Sequence, residues 1–197
     1  IVFLGIQRDP TAQLVTRHLL FCSERGESIN REVYRFLNEH ADNTAIAKLR
    51  GRACLLLADG NYYRPDQVYW SEHPFGPYRH QLDPELRQYS ALFDRLGVRE
   101  RPEERDFVRV LIEISERHEQ SHSPLDDQTR AVVMKCWEEL STALEEERIA
   151  VKDLEELQEK LVVPDPRPQT MLAKPEHLFF EDRAGLASQF GGFLTGL

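Results

Sequence analysis

The sequence predicts an α+β fold, mostly α, built from two similar helix–helix–β-hairpin units joined by a connecting helix. Three observations predict it. First, landmarks recur in order. Leu4-Gly5-Ile6 is followed by Pro10, and Leu96-Gly97-Val98 by Pro102, 92 residues later. Arg64-Pro65-Asp66-Gln67-Val68-Tyr69-Trp70 matches Lys174-Pro175-Glu176-His177-Leu178-Phe179-Phe180 at a spacing of 110. The second unit therefore holds 18 extra residues between its landmarks. Such internal repetition is the mark of arrayed supersecondary units. Second, apolar residues in each unit recur at i, i+3, i+4 and i+7, the period of a one-sided helix. Third, each unit ends in short apolar runs separated by turn residues, the pattern of a small strand pair.

In the first unit, Asp9 is a helix cap with Pro10 in the first turn. Val15, His18, Leu19 and Cys22 share one face of that helix, which makes His18 a packed residue, and Gly26 ends it. Ser28 or Asn30 opens a second helix with Ile29, Val33, Phe36 and Leu37 on one side. Leu55-Leu56-Leu57, the turn Asp59-Gly60-Asn61, Tyr62-Tyr63 and Val68-Tyr69-Trp70 read as a hairpin or strand pair. Asp83-Pro84 starts the connecting helix, with Leu86, Tyr89, Leu92, Phe93 and Leu96 inward and Gly97 as its stop.

The second unit opens with Phe107, Val110, Leu111 and Ile114 on one face. Ser123-Pro124-Leu125-Asp126 is a start signal with Ser123 as cap. Val133, Trp137, Leu140 and Leu144 follow, and Leu154, Leu157 and Leu161 continue a helical pattern. A Pro-rich turn at Pro164, Pro166 and Pro168 returns through Met171-Leu172 to Leu178-Phe179-Phe180. Leu186, Gln189, Phe190, Phe193 and Leu194 suggest one more helix, weakened by Gly191-Gly192. The expected organisation is 1–72 for the first unit, 73–96 for a loop and connecting helix, 97–182 for the second unit and 183–197 for a further helix or tail. The start at Ile1 rather than Met reads as a piece of a longer parent chain.

Composition narrows the function. There are 25 basic and 34 acidic residues, a net charge of −9, which argues against a nucleic-acid partner because phosphate binding needs clustered positive charge. The longest apolar run, Ala53 to Ala58, is far short of the ~20 residues of a membrane span. Three scattered cysteines (Cys22, Cys54, Cys136) suit a reducing compartment, so a cytoplasmic location is expected.

One string could carry chemistry. His118-Glu119-Gln120-Ser121-His122 spells H-E-x-x-H, which on a helix gives two zinc-binding imidazoles and a general base. A zinc-dependent hydrolase using His118, Glu119 and His122 is the alternative reading. Pro124 and a cap at Ser123 weigh against it, because they put His122 outside the helix that carries His118. No phosphate-binding Gly-rich loop, G-x-S-x-G or cysteine nucleophile motif occurs, so no cofactor and no catalytic residue is expected. Arg50, Arg52 and Arg64 could gather for an anionic group, though local ion pairs account for them equally. The acidic runs from Glu138 to Glu156 read as wet helix faces. The better interaction candidates are Arg64, Trp70, Phe75 and Tyr78, since exposed aromatics beside Pro and Arg suit binding hot spots.

The residues Leu96-Gly97-Val98, Phe107-Val108-Arg109-Val110-Leu111, Leu140-Ser141-Thr142-Ala143-Leu144, Val163-Pro164-Asp165 and Pro175-Glu176-His177-Leu178-Phe179-Phe180-Glu181-Asp182 resemble the sacsin and No Vein-like family of large proteins. The first unit carries a looser copy, so the resemblance spans most of the chain. It implies a very large intracellular parent linked to chaperone work, with an ATPase module of the histidine-kinase type. The nucleotide motifs of that module are missing here: no D-x-G-x-G follows Asn38 or Asn43. The expectation is a non-catalytic repeat segment acting as scaffold or as a surface for a protein partner or client. A purely structural spacer beside an ATPase module is the plainer alternative.

Overall fold

The computed structural model describes residues 10–121, 123–164 and 171–175. The fold is α+β and mostly α, as the periodicity predicts. It divides into two compact units, Ile1–His73 with Arg79–Arg101, and Pro74–Tyr78 with Pro102–Leu197.

Unit one starts with α1 (Ala12–Arg25), capped by Thr11, whose hydroxyl accepts from Leu14 N at 3.2 Å, and ended by Gly26 at φ 65°. Asp9, the expected cap, lies outside the described residues. α2 (Glu32–Glu39) follows, and Asn30 Oδ1 accepts from Glu32 N at 2.9 Å ahead of it. A 3-10 helix (Thr44–Leu49) leads to β1 (Leu55–Leu56) and β2 (Tyr62–Tyr63), an antiparallel pair with Leu55 opposite Tyr63. A 3-10 turn (Pro65–Gln67) precedes β3 (Val68–Tyr69), which pairs in parallel with β4 (His80–Gln81). The expected connecting helix is two pieces, a 3-10 turn (Pro84–Leu86) and α3 (Ser90–Leu96), which Gly97 ends at φ 90°.

This second stretch is no linker. Leu82, Leu86, Leu92, Phe93, Leu96 and Val98 all enter the same core as Leu19, Tyr34, Leu37, Ile46 and Leu49. α3 packs on α2 and on the 3-10 helix Thr44–Leu49. Asn38 Oδ1 accepts from Leu92 N at 3.0 Å in its first turn, and Arg50 Nε donates to Arg95 O at 2.9 Å in its last. The chain after α3 stays with unit one, since Trp70 N donates to Arg99 O at 3.0 Å and Ser71 N to Glu100 O at 3.1 Å. Leu96-Gly97-Val98, which the landmark spacing assigns to the start of a second unit, closes the first unit in space.

Unit two contains a 3-10 turn (Gly76–Tyr78), α4 (Glu104–Ser121), α5 (Asp127–Glu145), a 3-10 helix (Val151–Leu157) and the antiparallel pair β5 (Val163–Pro164) and β6 (Leu172–Ala173). Two boundaries differ from expectation. Asp126, not Ser123, caps α5: its Oδ1 accepts from Thr129 N at 2.7 Å. A carboxylate at a helix N-terminus also meets the positive end of the helix dipole, which a serine does not exploit. The helical pattern through Leu154 and Leu157 is 3-10 rather than a continuation of α5, because the chain turns at Glu147 with φ 57°.

The two units are framed by matching bonds. Tyr34 of α2 donates its hydroxyl to Cys54 O at 2.9 Å and accepts from Leu56 N at 2.7 Å. Trp137 of α5 donates Nε1 to Val162 O at 2.8 Å. Cys54 and Val162 each sit one residue before the first strand, and their N–H groups donate to Tyr63 O and Ala173 O at 3.0 and 3.2 Å. The residue before each is held by a serine of the first helix: Ser23 donates to Ala53 O, and Ser115 Oγ accepts from Leu161 N at 3.0 Å. Ser23 and Ser115 are 92 residues apart, the spacing of the Leu-Gly landmarks. β2 and β6 are 110 apart, the spacing of the second landmark. The sequence match at Pro175 continues into residues that lie outside the described ones.

Tyr34→Phe strands a buried carbonyl and N–H, so it should cost about 1–3 kcal/mol of stability. Trp137→Phe strands one carbonyl and should cost about 1–2 kcal/mol. Urea unfolding of the full chain checks both.

Candidate functional site

The interaction residues expected from sequence flank β3, with Arg64 before it and Trp70, Phe75 and Tyr78 after it. Arg64 lies exposed and pairs with Asp66 Oδ1 at 3.2 Å. Trp70 is half-buried, with its ring 6.1 Å from Phe93, and Arg87 Nη2 donates to its carbonyl at 2.9 Å. Phe75 and Tyr78 are not surface residues. Phe75 is fully buried, its ring 5.0 Å from Phe107 of α4. Tyr78 is 7% exposed, with its hydroxyl 3.1 Å from Thr129 Oγ1 of α5 and the Arg117 guanidinium 5.0 Å from its ring centroid. An aromatic ring buries ~150–250 Å² when enclosed, so the apolar surface of α4 and α5 outweighs exposure to solvent here. Gly76 makes the fit possible. It sits at φ 50°, and a Cβ there would stand 3.2 Å from Val132 Cγ2 and 3.3 Å from Gln128 Nε2. Of the four candidates, Arg64 and Trp70 keep accessible surface and the other two are core.

Beside Tyr78 lies a cavity of about 240 Å³, lined by Arg117, His118, Ser121, Ser123, Asp126 and Thr129 among others. His118 is 5% exposed. Its Nε2 accepts from Leu172 N at 3.4 Å, so the neutral ring carries its proton on Nδ1, which is buried without a partner. The Nε2 lone pair is thus engaged by a backbone N–H. Glu119 is exposed, and α4 ends at Ser121. His122 lies outside the described residues. Among the described residues, no group of three or more His, Cys, Asp or Glu side chains could hold a metal ion. Arg117, which lines the cavity, is engaged with Glu113 at 2.6 Å.

The remaining candidates serve structure. Cys22, Cys54 and Cys136 are buried and outside any disulfide, and burial pushes Cys54 up to about 12, far from a thiolate at neutral pH. His18 is exposed rather than packed, with its ring nitrogens 3.7 and 3.8 Å from Cys22 Sγ. Arg50, Arg52 and Arg64 do not converge: their partners are Arg95 O, Glu24 and Asp66. Asn38 and Asn43 each accept from a backbone N–H, of Leu92 and Ala45. Sequence reading missed Arg117, Asp126 and Thr129 at the cavity; only the Asp126-x-x-Thr129 capping spacing could have signalled the last two. No helix among the described residues is long and apolar enough to cross a membrane.

Gly76→Ala meets both a positive φ and close Cβ contacts, so it should destabilise by about 1–3 kcal/mol, measured by thermal unfolding. His73, beside Tyr69, is held below its ordinary 6.5, first by burial and then by the charges of His80 and Arg79. A lowered imidazole favours the neutral folded form, so its contribution is complete above pH 6.5 and is lost as pH falls through the lowered value. Stability curves of the protein and of His73→Gln should converge on acidification below pH 6.5.

No family model matches this chain, and no solved structure matches it. The chain is similar to human sacsin, 28% identical over 167 residues. Those residues are 82% of this chain and 4% of sacsin, so the chain spans a small part of the length of that relative.

Proposed function

We propose that this chain is a non-catalytic scaffold segment of a large, sacsin-like, chaperone-linked protein, one that works by contact with a protein partner or client. The observation that carries the reading is the interlocking of repeat and unit. The Leu96-Gly97-Val98 landmark of the second repeat is buried in the core of the first unit, with Leu96 and Val98 each 5% exposed. A module that borrows its closing elements from the next repeat suits a continuing array, where each piece is stable through its neighbour. Polar side chains support the same reading: Asn38, Arg50, Ser115 and His118 are bound to backbone groups. Accessible surface supports Arg64 and Trp70 as the partner contact, since Phe75 and Tyr78 are buried.

The test is a quantitative pull-down from native extract with the full chain. A defined protein should be captured near stoichiometry, and Arg64→Glu with Trp70→Ala should reduce it at least several-fold while the melting temperature is held. Capture that ignores both changes removes the proposed surface. Stoichiometric zinc with hydrolase activity, both lost in His118→Ala, would overturn the non-catalytic reading.

A further inference from the structure

The first helix of each unit can be compared position by position. Ala12 opens α1 and Glu104 opens α4, 92 residues apart. Ser23 and Ser115, which hold the matching hairpins, keep the same spacing. On it Leu14 corresponds to Asp106, His18 to Val110, Phe21 to Glu113 and Arg25 to Arg117. These positions recur at i, i+4, i+7 and i+11, so they form one stripe along the helix.

On α4 the stripe is occupied. The Phe75 ring is 5.0 Å from Phe107, and Tyr78 stacks its ring 5.0 Å from the Arg117 guanidinium and lines a cavity with Ile114. Asp106 and Val110 are 1% and 0% exposed. On α1 the same stripe is open. Leu14 is 57% exposed and Phe21 47%, and His18 is exposed between them. Two of these residues are more apolar than their counterparts, leucine for Asp106 and phenylalanine for Glu113, so their own chemistry does not favour the exposure. Arg25 stacks 4.2 Å over Phe21 of its own helix, where the equivalent Arg117 meets a ring from another segment. Leu14, His18, Leu20 and Phe21, with Arg17 and Glu24, border a groove of about 460 Å³.

We propose that this groove on α1 is the docking site of a Phe-Gly-Pro-Tyr type loop, the counterpart of Phe75–Tyr78, carried by a neighbouring repeat of the array. Unit two selects that occupant, because the equivalent stripe there takes such a segment. The groove selects it again. Leu14 and Phe21 give apolar cover to one ring, and Arg25 gives a cation–π contact to the other, as Arg117 does to Tyr78. A loop stiffened by proline, with its rings three residues apart, loses little freedom on docking. The inference rests on the array reading of the proposed function but uses neither Arg64 nor Trp70, so its failure is separable from failure of the pull-down.

The test adds a synthetic octapeptide of residues 73–80 to the full chain. Hydroxyl-radical oxidation of Leu14 and Phe21 is read by mass spectrometry. Both should oxidise rapidly in the free chain, and saturating peptide should slow both several-fold while Met134, exposed on α5, is unchanged. Leu14→Glu with Phe21→Glu, both at exposed positions, should hold the melting temperature and abolish binding of the labelled peptide. Phe75→Ala with Tyr78→Ala in the peptide should abolish it too. No saturable binding, or binding that survives either pair of changes, would overturn the assignment. Slow oxidation in the free chain would overturn it by giving the groove to this chain's own residues. Self-association lost in Leu14→Glu with Phe21→Glu would overturn it by giving the groove to a second copy.

Discussion

Strands of two residues cannot satisfy their own backbone, and the molecule is arranged around that constraint. Each hairpin makes a few ladder bonds and leaves the residues before its first strand with carbonyls inside the core. An unpaired buried carbonyl costs about 1–3 kcal/mol, comparable with a large fraction of a small unit's stability. Tyr34 and Trp137 remove that cost by donating to Cys54 O and Val162 O. Ser23 and Ser115 hold the next residue upstream. The helix pair therefore does more than cover the hairpin. It supplies the hydrogen bonds that let so short a hairpin exist, and this fixes the spacing between helix and strand in both units.

The same economy explains α3. Seven residues make a marginal helix in water, because nucleation is unfavourable and few bonds follow it. Asn38 and Arg50 meet its orphan backbone groups at each end while Leu92, Phe93 and Leu96 are buried. A helix so dependent on its seat belongs to the unit that seats it, whatever repeat its sequence opens. The Pro74–Tyr78 segment obeys the same rule in unit two, where Phe75 and Tyr78 find apolar cover on α4 and α5 and Gly76 permits the approach.

Several polar side chains are taken up by backbone groups in the same way. His118 is the instructive case. Its place in an H-E-x-x-H string suggests a metal ligand, but Leu172 N occupies the one lone pair a neutral ring offers. Similarity to human sacsin covers 82% of the chain and 4% of sacsin.

By itself the sequence determined the order of helix, helix and hairpin, the turn at Asp59-Gly60-Asn61, the buried face Phe107, Val110, Leu111 and Ile114, and the two landmark spacings. These follow from period and turn chemistry, which act within a few residues and survive in any context. Only the tertiary structure decided that α3 closes the first unit, that Phe75 and Tyr78 are core, that His18 faces solvent, and that Asp126 rather than Ser123 caps α5. Each of those choices depends on which apolar surface lies opposite and which backbone group lacks a partner, and neither is written in the local pattern. Tyr34 shows the limit most plainly. Val33, Phe36 and Leu37 carry the apolar signal, yet Tyr34 is buried beside Leu37 while Val33 and Phe36 are only half-buried, and its hydroxyl meets Cys54 O and Leu56 N together.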